Sequence, residues 1–482
     1  MERITALVPA PVLATPAEGE YRLGPDTAVA GDGELLAAEW GLPLRQDGPI
    51  RLEIQGRGDL GDEGYELTVR PEGICLGAQT PVGLGHGMAT LRQLRGTGDS
   101  IPAGDIVDRP RFPYRGVMLD VARHFFPVPD VLRLVDLAAL HKLNHLHLHL
   151  TDDQGWRIAI DSWPRLAEHG GGTEVGDGPG GYYTKTDYAA IVAYAARYGI
   201  TVVPEVDVPG HTNAALASYA ELNADGTAPD RYRGIDVGFS CLAVGSPATE
   251  RFLDDVFGEL AAMTPGPYLH LGGDEVKTLG PEEYAAIVGQ AQAAVLRHGK
   301  VPIGWHEIAP AYPLPATVLQ YWGTDRADHG MAAAVARGNR VIMSPADRAY
   351  LDMKYDVGSP HGLDWAGFIP TRAAYEWDPE TYLSGVDGSA VLGVEAPLWT
   401  ETVGTFEDAL RLLMPRLAVI AEVAWTPPDG GGTQPYGQQE LAGGRRLARR
   451  DWADLRRRLA AQAPLWTARG IAFHPDPEVW PA

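Results

Sequence analysis

At 482 residues the chain is long enough for two or three ordinary domains, or for one large barrel and a small companion. Forty basic against 63 acidic residues leave a formal charge of −23, which repels a phosphate backbone and anionic lipid alike and excludes nucleic acid and membrane surfaces as expected partners. The two cysteines, Cys75 and Cys241, stand outside any CxxC; they exclude a disulfide framework and a thiolate metal site, and both are expected to be buried apolar residues.

Residues 1–10 lack the basic start and long apolar run of a secretory signal, and no stretch of about 18 apolar residues occurs, so a soluble protein is expected, with its compartment open. Residues 1–108 form an expected noncatalytic α+β domain. Segments 51–54 and 65–70 alternate apolar and polar as half-buried strands do. Pro71-Glu72-Gly73 makes a turn, 74–76 runs back, and 88–94 continues as an amphipathic helix. Gly83, Gly85 and Gly87 imitate part of a dinucleotide loop without its βαβ context, and are read as a helix entrance.

After a proline-punctuated connector, 101–113, short apolar strands alternate with longer helical stretches. Strands are expected at 116–119, 144–150, 200–204, 268–271, 301–305, 317–321, 340–343 and 391–394. Helices are expected at 131–143, 188–198, 249–263 and 281–298. The pattern is that of a (β/α)8 TIM barrel spanning 109–482.

Chemistry in such a barrel gathers at the C-terminal strand ends. Those ends carry Asp120 and Arg123, Asp152 and Asp153, Asp207 and His211, Asp274 and Glu275, Trp305 and Glu307, Trp322, Tyr355 and Asp356, and Trp399 with Glu401. Tryptophans stack on the apolar faces of sugar rings, while carboxylates and arginine bind hydroxyls, so the rim predicts a carbohydrate pocket, with Trp365 added from a loop. Trp452 and Trp466 are expected to be core. Arginines 445, 446, 449, 450 and 456 to 458 read as a solvated helix face.

The fourth strand end, His270-Leu271-Gly272-Gly273-Asp274-Glu275, is the centre of the pattern. Two glycines permit a sharp turn that aims adjacent carboxylates into a cleft, where each raises the other's pKa and one can stay protonated as a donor. The same two acids could instead cap and open a helix.

The stretches Arg115-Gly116-Val117-Met118-Leu119-Asp120-Val121-Ala122-Arg123-His124-Phe125, His147-Leu148-His149-Leu150-Thr151-Asp152-Asp153, Asp207-Val208-Pro209-Gly210-His211 and the hexapeptide, followed by Trp399-Thr400-Glu401, resemble in order the signatures of glycoside hydrolase family 20, the β-N-acetylhexosaminidases, and most closely its bacterial chitobiase-like members. The resemblance covers most of the chain, the leading α+β domain included. It implies a retaining exo-hydrolase of terminal β-linked N-acetylglucosamine or N-acetylgalactosamine, in which the substrate's own acetamido group displaces the leaving group through an oxazolinium ion. It further implies Glu275 as acid and base, and Asp274 as the group that orients the acetamide. Arg123 and Glu401 would bind outer hydroxyls, and Tyr355 beside Asp356 the acetamido oxygen. Trp305, Trp322 and Trp399 would enclose the ring and its methyl, and Asp152 with His211 would tune Glu275, with Asp207 and His270 standing behind the residues that touch substrate. No cofactor or metal is implied; the partner is an N-acetylhexosamine-terminated oligosaccharide or glycoconjugate.

Two other readings stay open. His145, His147 and His149 alternate on one strand and share a face, as metal ligands do in barrel amidohydrolases. A carbohydrate-binding protein without turnover would use the same aromatics, although it has no need of Glu275 beside Asp274.

Overall fold

The computed structural model describes residues 3–55, 58–428 and 450–481. The chain divides into two compact units, one drawn from 1–115, 136–144 and 414–482, the other from 116–135 and 145–413.

The first unit holds a six-stranded sheet ordered Leu13–Arg22, Ser100–Asp108, Tyr65–Arg70, Gly73–Ala78, Ile50–Glu53, Val29–Gly31. The expected alternation is visible in Tyr65–Arg70, where Tyr65, Leu67 and Val69 are buried and the residues between them face outward. The same period-2 rule corrects one expectation: Cys75 is exposed, because Ile74 and Leu76 occupy the inward positions of Gly73–Ala78. Helix Pro81–Arg95 starts where Thr80 accepts the Gly83 N–H, so the three glycines lie inside the helix. A Cβ on Gly87 would stand 2.3 Å from Leu76 Cδ1; its absence lets the helix press onto the sheet. Beneath, buried Lys142 donates to Asp108 Oδ2 (2.7 Å) and to the Tyr65 hydroxyl (2.8 Å), while the Trp425 indole N–H reaches Asp108 Oδ1 (3.0 Å).

Helix Trp452–Ala468 buries Trp466 as expected, with Trp452 partly exposed. Arg456 and Arg457 are solvated, but Arg458 is buried and paired with Glu422 and Asp454, so the arginine cluster is not one continuous wet face. Arginines 445, 446 and 449 lie outside the described residues.

The second unit is built on a closed parallel barrel: Tyr114–Asp120, His145–His149, Thr201–Glu205, Tyr268–His270, Val301–Trp305, Val318–Tyr321, Arg340–Met343 and Val391–Leu398. All eight expected strands are present. The last runs four residues further than expected and delivers Trp399 to the rim. Helix Val128–Leu140 starts three residues earlier than expected because Pro129 sits in its first turn, where a missing N–H does no harm. Thr184 and Asp187 form a capping box that likewise starts the helix Lys185–Ala196 early.

Candidate active site

The fourth barrel strand stops at His270, and the turn that follows is shaped by what its glycines allow. Gly272 has φ 71° and Gly273 φ 104°, both in the left-handed region. A Cβ on Gly272 would stand 1.8 Å from Asp207 Oδ1, so only glycine lets that carboxyl approach. Asp207 Oδ1 accepts the Gly273 N–H at 3.0 Å, and His270 Nδ1 accepts the Gly272 N–H at 3.0 Å. Asp207 and His270 thus hold the turn from behind. Glu275 itself takes φ 51° and His211 φ 53°, unusual for residues that carry side chains.

The turn sets Asp274 Oδ2 at 3.7 Å and Glu275 Oε2 at 3.6 Å from the same His211 Nε2. On the other edge of that imidazole, Nδ1 meets Asp152 Oδ1 at 3.3 Å. Asp152 Oδ2 then contacts Arg123 Nη2 at 2.9 Å and His149 Nε2 at 2.9 Å. Burial alone would lower the His211 pKa, but Asp152 and Asp274 outweigh it and push it up to about 10, so the ring is an imidazolium. Burial also opposes the ionisation of Asp152, and Arg123 with His211 overcomes it, holding that carboxyl well below the usual range. Glu275 goes the other way: burial first, then the Asp274 charge, raise it. Asp207 is raised well above an ordinary aspartate by burial and by Asp274, to which it hydrogen-bonds. Asp207 Oδ2 and Asp274 Oδ1 are both buried and neither has a donor among the described residues, a pairing that a single proton on Asp207 would satisfy.

Around these acids stands an aromatic box. Trp322 and Tyr350 stack with centroids 6.5 Å apart, and Trp365 meets both edge-on at 5.8 and 5.9 Å. Trp399 lies 6.3 Å from Tyr350 and carries the Arg123 guanidinium 4.8 Å above its ring. Trp365 is half exposed, at the mouth. Trp305 has no exposed surface; it is the layer behind Trp399, 5.7 Å away. Glu401 is 4.0 Å from Arg123 Nη2 and Asp120 3.5 Å from Nη1, so with Asp152 three carboxylates surround this guanidinium.

Two expected residues are not in this box. Tyr355 is buried with its hydroxyl donating to the Leu412 carbonyl at 3.2 Å, and Asp356 is exposed, accepting the Gly358 N–H at 2.8 Å in a local turn. The places expected of them are taken by Tyr350 and by Asp352, whose Oδ1 lies 3.4 Å from the Trp399 N–H. The loop after the seventh strand contains two Tyr–Asp pairs close together, Tyr350 with Asp352 and Tyr355 with Asp356, and only their distance from the strand end distinguishes them. Glu307 is a further acid at the site, its Oε2 accepting the Trp322 indole N–H at 3.0 Å and its pKa raised well above an ordinary glutamate by burial and by Asp274.

The alternating histidines face the barrel interior but do not converge. Among the described residues, no two of them belong to one group of side chains whose ligand atoms could reach a common ion. Among the described residues, His147–Glu205–His270, His149–Glu205–Asp207, Asp152–Asp153–His211 and Asp207–His211–Asp274 are the groups whose atoms could reach a common ion. Their chemistry argues for ion pairs instead. Burial would lower His147 and His149, yet Glu395 and Glu205 push them to about 9 and about 10, as carboxylates that pair with both rings do.

Comparison with known proteins bears on the whole chain. The sequence profile described as "Glycosyl hydrolase family 20, catalytic domain" matches residues 112–288 and 281–428, and that described as "Glycosyl hydrolase family 20, domain 2" matches 5–109. The β-N-acetylhexosaminidase of Cellulomonas fimi is 46% identical over 437 residues, covering 90% of this chain and 84% of that protein. Streptomyces plicatus N-acetyl-β-hexosaminidase in complex with Thio-NAglucal superposes with a TM-score of 0.91 at 45% identity over 98% of this chain and 97% of that one. The family 20 β-N-acetylhexosaminidase of Streptomyces coelicolor A3(2) gives 0.91 at 44%, covering 98% of each.

Proposed function

The chain belongs to glycosyl hydrolase family 20, and from that premise we propose that Glu275 and Asp274 divide between them the retaining hydrolysis of terminal β-linked N-acetylhexosamines. The enzyme is a β-N-acetylhexosaminidase working by substrate-assisted catalysis. Glu275, whose protonated form burial and its charged neighbour favour, donates its proton to the glycosidic oxygen as the bond to the anomeric carbon breaks. The acetamido oxygen attacks that carbon from the opposite face, and the Asp274 carboxylate accepts the acetamido N–H and steadies the oxazolinium charge. Water then opens the ring at the anomeric carbon and gives its proton to Glu275, so two inversions leave the configuration retained.

The observation that carries the reading is the fixing of Asp274. One of its oxygens is bound by Asp207 and the other faces the imidazolium of His211, so the carboxylate is held in a single orientation beside the acid. Arg123 and Glu401 are the groups for outer hydroxyls, where a planar guanidinium grips a diol as no lysine would. Trp322, Trp365, Trp399 and Tyr350 form the walls, with Trp305 as backing, and Tyr350 replaces Tyr355 as the phenol for the acetamido oxygen. The domain division proposed at 108/109 is supported by matches that end at 109 and begin again at 112. No helix among the described residues is long and apolar enough to cross a membrane.

A substrate panel tests this. Chromogenic N-acetyl-β-glucosaminide and N-acetyl-β-galactosaminide should be cleaved and plain β-glucoside left essentially intact, with no effect of a chelator. Glu275→Gln should abolish turnover of natural disaccharides and still bind them. Equal rates on the plain glucoside, or near-normal turnover by Glu275→Gln, would overturn the assignment.

A further inference from the structure

We propose that Glu205, which the machinery above leaves unused, is a positioning residue that locks the tryptophan backing of the pocket to the Asp152–His211 relay. The proposal rests on the reading of the tryptophan box as the acetamide enclosure. Glu205 is the last residue of the third barrel strand and fully buried. Its register partner on one side is His149 and on the other His270, which brings three inward side chains to one level of the barrel.

Its two oxygens are shared out between two parts of the site. Oε1 accepts the Trp305 indole N–H at 2.8 Å and lies 3.0 Å from His270 Nδ1. Oε2 meets His149 Nδ1 at 2.5 Å and His147 Nε2 at 3.0 Å. The other nitrogen of His149 is the one bonded to Asp152, and Asp152 holds Arg123 and His211. The His149 ring also packs edge-on against Trp399 at 4.8 Å. One carboxylate therefore fixes the rotation of Trp305 about its side chain and, through a single imidazole, the position of Asp152. Burial alone would make so enclosed an acid neutral; the surrounding histidines hold it well below the usual range instead.

The barrel supplies a matched control. Glu395 is also fully buried and also bonds His147, at 2.8 Å, and it accepts from the Gln320 amide at 2.7 Å. Glu205→Gln removes the charge and offers an amide N–H where an acceptor is needed, whereas Glu395→Gln makes the same chemical change away from the pocket.

The experiment measures kcat and KM for N-acetyl- and N-propionyl-β-glucosaminides with wild type, Glu205→Gln and Glu395→Gln, each first checked for folding by circular dichroism. With Glu205→Gln, kcat/KM on the acetyl substrate should fall by up to about 10²-fold, the effect of a misplacement near 1 Å. The acetyl-to-propionyl ratio should narrow as the backing layer loosens. With Glu395→Gln the ratio should stay that of wild type. Equal shifts in both variants, or an unchanged ratio in Glu205→Gln, overturn the proposal. If Glu205→Gln does not fold, Trp305→Phe, which removes only the donor to Glu205 and part of the ring, must narrow the ratio; a wild-type ratio there overturns it as well. Wild type inert on the acetyl substrate would instead sink the proposed function.

Discussion

Asp274 works as an orienting anion only if its neighbour Asp207 carries a proton, and the geometry makes that a sharp question. Asp207 accepts from the Gly273 N–H with one oxygen and gives a proton to Asp274 with the other. Asparagine has an acceptor and a donor in those same positions, and alanine has neither. Asp207→Asn should therefore stay close to wild-type activity, while Asp207→Ala leaves a buried oxygen of Asp274 unpaired at about 1–3 kcal/mol, roughly a 5- to 150-fold loss in kcat/KM. Comparable losses in both variants would show that no proton sits between the pair. The acid itself has its own signature. Glu275 must be protonated in the free enzyme, so kcat/KM falls as pH rises through its pKa, which burial and the Asp274 charge lift above the ordinary glutamate value of 4.5. Removing that charge in Asp274→Asn lowers the Glu275 pKa, so the alkaline limb of the residual activity should move to lower pH; a limb that moves upward contradicts the assignment. At this scale the sequence was informative where a residue's chemistry is fixed by its chain neighbours. The two glycines before Asp274 and Glu275 announce the turn. Glu205 could not be found that way, because its importance comes from Trp305 and His149 on other strands.

The barrel strands were legible because each is a short apolar run with a helix behind it, and the rim acids follow from where each run ends. The long loop after the seventh strand was not, since nothing periodic marks position along it. Tyr350 and Tyr355 differ by five residues; the first enters the aromatic box and the second donates to the Leu412 carbonyl outside it. The two phenylalanine variants separate them. Tyr350→Phe should lower kcat/KM for N-acetyl substrates by about tenfold, the worth of one hydrogen bond to a developing charge, with the melting temperature little changed. Tyr355→Phe should leave kinetics alone and cost about 1 kcal/mol of stability for the lost hydrogen bond. The reverse outcome would restore the sequence-based choice.

Across the whole molecule, composition gives an acidic total and says nothing about how charge is placed inside. Buried ion pairs in both units carry part of the order. In the first, Lys142, Asp108 and Tyr65 form a closed cluster with the Trp425 indole. Lys142→Met takes from buried Asp108 the ammonium bonded to it, and the expected loss is about 3–5 kcal/mol in denaturant unfolding. Because Lys142 lies in the other unit from Glu275, kcat of the remaining folded protein should be that of wild type. A variant as stable as wild type would mean that the neutral donors suffice.

Glu275 and His211 both sit at positive φ, a conformation that glycine adopts freely and that other residues hold only against a penalty of order 1–3 kcal/mol each. Evolving this enzyme for heat tolerance by survival of the fold alone would therefore favour glycine at those two places. Such a search would enrich sturdy proteins that hydrolyse nothing, so turnover has to be selected together with heat tolerance.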